Sequence, residues 1–99
     1  MPKALPYYEQ VFAMSNHSLE TNPQDYWARL DRLTSALVLD RDDVVAQDLE
    51  TVLQQVTVTA PLETAVSELT NLRNAPHPLV KAEAIITRMN AAIAKLKGA

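Results

Sequence analysis

The placement of its breakers constrains this chain more than any other feature. Its single glycine among 99 residues is Gly98, and its six prolines stand at 2, 6, 23, 61, 76 and 78. Without an internal glycine, a chain has few low-cost ways to make turns with positive φ. Hairpin-rich β folds and glycine-rich phosphate loops are therefore disfavoured. The prolines fall at or near places where apolar residues start or stop recurring every three or four positions. That pattern predicts short helices punctuated by prolines.

Five stretches carry the pattern. Over about 5–14, Leu5, Tyr8 and Phe12 lie at helical spacing with Val11 beside them, and Ser15-Asn16-His17-Ser18 is expected to end the helix. A helix this short holds its shape only by docking. The second stretch, about 22–39, reads as Asn22 at the N-cap, Pro23 at the first position and Asp25 in the first turn. Its stripe is Tyr26, Leu30, Leu33 and Leu37, widened by Trp27, with Arg29, Asp31 and Arg32 off it. The third, about 41–57, opens on acidic residues that suit a helix start and continues through Val45, Leu49, Val52 and Val56. The alternation Val56-Thr57-Val58-Thr59 reads as a fraying end.

The fourth stretch, about 61–74, follows a Thr59-Ala60-Pro61 start and places Leu62, Ala65 or Val66, Leu69 and Leu72 on one face. Asn74-Ala75-Pro76-His77-Pro78 is a firm break. The fifth, about 78–97, is the clearest: Leu79, Ala82, Ile86, Met89, Ile93 and Leu96, with Gly98 placed just past the helix. Its other faces hold Ala84, Ala91, Ala92 and Ala94, small enough for a second helix to approach closely. Short connections force neighbouring helices antiparallel. The expected fold is all-α, a single helical domain over 1–99. In it the last four stretches form an antiparallel four-helix bundle, and residues 1–18 are an aromatic segment docking on the bundle or on a partner. Two stacked helical hairpins are the alternative.

A chain of this size has room for one modest core, and 47% apolar with 21% charged residues is ordinary for a globular protein. The absence of cysteine excludes disulfides, thiolate chemistry and cysteine–zinc sites. No apolar run is long enough to span a bilayer, and the first residues lack a signal peptide's apolar stretch, so a cytoplasmic protein is expected. The net charge of −3 is uneven: −6 up to Ala75 and +3 from Pro76 onward. An acidic body argues against general nucleic-acid binding, which needs clustered phosphate-neutralising charge.

Catalytic patterns are sparse. His17 and His77 are expected in separate loops with no histidine or carboxylate at ligand spacing. A calcium loop starting at Asp40 would need glycine at its sixth place and glutamate at its twelfth; Val45 and Thr51 stand there, so helix capping is the better reading. No serine sits in a nucleophile elbow. No metal and no cofactor are expected. Arg29-Leu30-Asp31-Arg32-Leu33 followed by Leu37-Val38-Leu39-Asp40-Arg41 looks loosely similar to the first helix of all-α chorismate mutases. That family needs a lysine in the same pocket, and none occurs between Lys3 and Lys81, so membership does not follow.

All five aromatic residues, Tyr7, Tyr8, Phe12, Tyr26 and Trp27, lie in the first 27 positions. Inside the protein they would seal the first helix onto the second, with Trp27 plugging the junction. On a surface they would anchor a partner. Lys81, Arg88 and Lys95 recur every seven residues along one side of the last helix, a row suited to an acidic partner. The expected function is non-catalytic protein–protein interaction, as an adaptor, assembly factor, inhibitor or regulator of a larger protein. A homodimer is expected as well, and the partner-binding residues would be these five aromatics and three cations. One alternative is a helical-bundle enzyme or small-molecule binder with an anion site built from Arg29, Arg32 and Arg41. Another is a dimeric nucleic-acid regulator resting on the last helix.

Overall fold

Each apolar stripe becomes one helix. The computed structural model describes residues 5–74 and 81–98, and among them the chain is all-α. The helices are α1 (Leu5–Thr21), α2 (Tyr26–Val38), α3 (Asp42–Gln55), α4 (Ala60–Arg73) and α5 (Ala82–Gly98). They fall into two compact units, Met1–Gln55 and Val56–Ala99. His77, Leu79 and the last part of the break that starts at Asn74 lie outside the described residues, as does the side chain of Leu5.

In the first unit α2 packs against both α1 and α3. Its buried set follows: Ala28, Leu30, Leu33, Ala36 and Leu37, together with the polar Arg29, Thr34 and Ser35. Ser35 is wholly buried but needs no outside partner, because its hydroxyl donates to the carbonyls of Asp31 and Arg32 one turn back. In the second unit α4 packs on α5. Leu62, Ala65, Leu69 and Leu72 are buried on α4, and Ala82, Ile85, Ile86, Met89 and Ile93 on α5. Two surface ion pairs brace the hairpin. Arg73 at the end of α4 meets Glu83 at the start of α5 at 2.6 Å, and Lys97 at the end of α5 meets Glu63 at the start of α4 at 3.5 Å. Opposite ends pair, as antiparallel helices require.

Several local expectations need correction. α1 does not stop near residue 14 but runs through Ser15-Asn16-His17-Ser18 to Thr21, which places His17 on a helix. Buried Ser15 and Leu19 continue its packed side, so docking outweighs the weak helix preference of those four residues. α2 starts at Tyr26 rather than at Asn22 or Pro23. Its cap is Asp25, whose carboxylate accepts from the Ala28 N–H at 3.1 Å. Asn22 instead makes a local turn, its side-chain carbonyl accepting from the Gln24 N–H. Thr59 precedes α4 without capping it through its side chain, although Pro61 stands in the first turn as expected. Gly98 is the last residue of α5 rather than the one beyond it.

The turn from α2 into α3 answers the shortage of glycine. Asp40 has φ of 64°, the only positive φ among the described residues. The Arg41 N–H donates to the Ala36 carbonyl and the Asp40 N–H to the Leu37 carbonyl. These two bonds make a Schellman stop, with an aspartate in the left-handed position usually given to glycine.

Candidate functional site

A buried polar cluster centres on Asp48. On α3 it occupies the side that carries Val45, Leu49 and Val52, and it is 0% exposed. A carboxylate there needs cationic partners. Arg32 supplies a fork, with Nε donating to Oδ2 at 2.8 Å and Nη2 to Oδ1 at 2.6 Å. Arg29, one turn earlier on α2, adds Nη1 to Oδ1 at 3.3 Å. Arg32 also donates from Nη1 to the side-chain carbonyl of Asn16, which ties in α1. Its pKa is raised, because hydrogen bonding to Asp48 outweighs the opposing effect of burial.

The same cluster fixes the connection between α1 and α2. The Pro23 carbonyl accepts from Arg29 Nη2 at 2.9 Å and from Gln55 Nε2 at 3.2 Å. The buried Arg29 Nε and Gln55 Oε1 have no hydrogen-bond partner. Arg29 and Arg32 are thus engaged with a carboxylate rather than presented to a ligand. Arg41, the third arginine of the expected anion site, lies elsewhere, its guanidinium 5.2 Å from the centre of the Phe12 ring. Glu9, Phe12, Leu39 and Arg41 line an open cleft of about 450 Å³.

The residues expected to bind a partner divide between the units. In the first unit Tyr7 is 63% exposed and its ring meets Tyr8 edge-on at 5.2 Å. Tyr8 and Phe12 are half-buried. Trp27 is 48% exposed, not the plug of a junction, and its ring lies 5.9 Å from that of half-buried Tyr26. Met14, which the sequence reading did not single out, is 62% exposed. It stands seven residues from Tyr7, hence on the same side of α1 and away from buried Ser15 and Leu19. In the second unit Lys81, Arg88 and Lys95 are all exposed.

The carboxyl of Asp31 has its pKa raised from the ordinary carboxylate value. Partial burial pushes its pKa up, and the negative charge of Asp25 adds to the rise. Sequence reasoning noted Asp31, Arg29 and Arg32 but missed Asp48. The signal was present: an aspartate among Val45, Leu49 and Val52 calls for a cation from a neighbouring helix.

No helix of the described residues is long and apolar enough to cross a membrane. No protein-family model matches the chain. Comparisons with curated proteins and with solved structures likewise returned no match.

Proposed function

We propose that this chain is a small helical protein-interaction module, an adaptor, assembly factor or regulator of a larger protein, that works in the cytoplasm and self-associates. The observation that carries the reading is the exposure of Tyr7, Met14 and Trp27 on α1 and α2. One exposed apolar side chain is ordinary on any protein surface. Three large ones on two packed helices, two of them aromatic, are the composition of an interface anchor rather than of a solvated face. Methionine adds a flexible apolar contact that adapts to its partner. Of the arginines expected at an anion site, Arg29 and Arg32 pair with Asp48 and Arg41 lies over the Phe12 ring.

Light scattering on a sizing column, with micromolar protein, tests the reading. The wild type is expected at twice its 11.0 kDa chain mass. The triple variant Tyr7→Ser, Met14→Ser, Trp27→Ser is expected at the monomer mass with unchanged helicity. A wild-type monomer at every concentration removes self-association. Failure of photo-crosslinkers at Tyr7 and Trp27 to capture any protein would remove the interaction reading altogether.

A further inference from the structure

The open cleft of the first unit holds two charges of opposite sign that do not pair with each other. Glu9 on α1 and Arg41 between α2 and α3 are its polar walls, and half-buried Phe12 and Leu39 are its apolar ones. Among the described residues Glu9 makes no side-chain hydrogen bond or ion pair. The guanidinium of Arg41 makes one specific interaction among them, with the Phe12 ring. That interaction works through its charge, and the five N–H donors remain for an acceptor.

Arg41 is held in place from both sides of its backbone. Its N–H donates to the Ala36 carbonyl at 2.8 Å, which closes the turn at Asp40, and its carbonyl accepts from the Val45 N–H at 3.1 Å. With the backbone fixed and a ring beneath, the side chain has less freedom to lose on binding than a loose surface arginine.

These four side chains define a ligand. A carboxylate suits the planar fork of Arg41, an ammonium suits Glu9, and a short aliphatic body covers Phe12 and Leu39. A bare anion suits the unit less well. Met1–Gln55 holds nine acidic and four basic residues, and two of those four, Arg29 and Arg32, are turned onto Asp48. The field of such a unit repels an anion but not a ligand of zero net charge. The cleft volume of about 450 Å³ lies within the range of small-ligand sites.

We propose that this cleft binds a free α-amino acid with an aliphatic side chain, its carboxylate on Arg41 and its ammonium on Glu9. The site uses none of Tyr7, Met14 and Trp27, so it does not depend on the interaction reading above.

The full-length protein, labelled for nuclear magnetic resonance, is titrated with L-leucine through the millimolar range at neutral pH. Saturable shifts are expected at the amides of Glu9, Phe12, Leu39 and Arg41. N-acetyl-leucine lacks the ammonium, leucinamide lacks the carboxylate and glycine lacks the apolar body. Each should bind about tenfold or more weakly than leucine. Glu9→Gln and Arg41→Gln should each weaken leucine binding by about the same factor, and Arg41→Lys should recover only part, because lysine keeps the charge but not the fork. Glu9 and Arg41 are exposed, so these variants are expected to fold. If Arg41→Gln does not, the four probes on the wild type carry the test alone. Shifts that never saturate overturn the proposal, as do equal responses to leucine and N-acetyl-leucine. Unchanged leucine binding by folded Arg41→Gln overturns it as well.

Discussion

The two units place their charges in opposite ways. In Met1–Gln55, Arg29, Arg32 and Asp48 lie inside, with Asp48 wholly out of solvent and hydrogen bonds reaching to α1 and to the Pro23 carbonyl. In Val56–Ala99 the ion pairs Arg73–Glu83 and Lys97–Glu63 lie at the two ends of the hairpin, and both carboxylate partners are well exposed. Removing one partner of a buried pair is costly, because the other charge is left alone out of water. A surface pair, held in water and screened by salt, adds little beyond solubility. The first unit also holds all five aromatic residues, with Tyr7 and Trp27 well exposed. It is the unit to which we assign the proposed interface.

The comparison can be broken most decisively at Asp48. Asp48→Ala strands two arginines without their counterion and should lower stability by about 3–5 kcal/mol, read by urea unfolding. If that loss were under about 1 kcal/mol, the cluster would be no more than a surface pair in effect. Asp40→Gly should act in the other direction. Its φ of 64° suits glycine, so the substitution should raise stability by about 1 kcal/mol, visible as a higher Tm. A drop instead would mean that the Asp40 side chain contributes more than its backbone conformation costs. Glu83→Gln in the second unit should cost less than about 1 kcal/mol in the same urea assay. A cost like that of Asp48→Ala would erase the contrast between the units.

The smallest effect expected is that of Asp31→Asn, and it depends on pH. The carboxyl of Asp31 has its pKa raised in the folded protein, so folding favours its protonated form. That contribution is fully present below the unfolded-state pKa and is lost as pH rises through the folded value. At neutral pH the charged form is a slight burden, so Asp31→Asn should melt slightly higher than the wild type. The advantage should fade as the solution is acidified through the carboxylate range. Equal gains at pH 7 and at pH 3 would mean that the substitution acts through something other than charge.

Much of the fold was legible because helix periodicity is local. Val45, Leu49 and Val52 on α3, or Leu62, Leu69 and Leu72 on α4, are buried as their spacing requires. The proline at the start of α4 also stands where its missing N–H is harmless. Less of the candidate surface was legible. The same spacing that put Tyr8 and Phe12 on the packed side of α1 could not say that Trp27 would stay 48% exposed. Nor could it say that Met14 would join Tyr7 on the open side, because exposure depends on where a neighbouring helix ends.

The sequence by itself determined the class of fold, the number of helices and their apolar faces. A short-range repeat together with proline and a near absence of glycine leaves the backbone little else to do. Tertiary structure alone decided that α1 would continue through Ser15-Asn16-His17-Ser18, and that Asp48 would take Arg29 and Arg32 as partners from 19 and 16 residues away. Those outcomes depend on the register of one helix against another. Register is set by the packing of whole faces, which no spacing along a single helix contains.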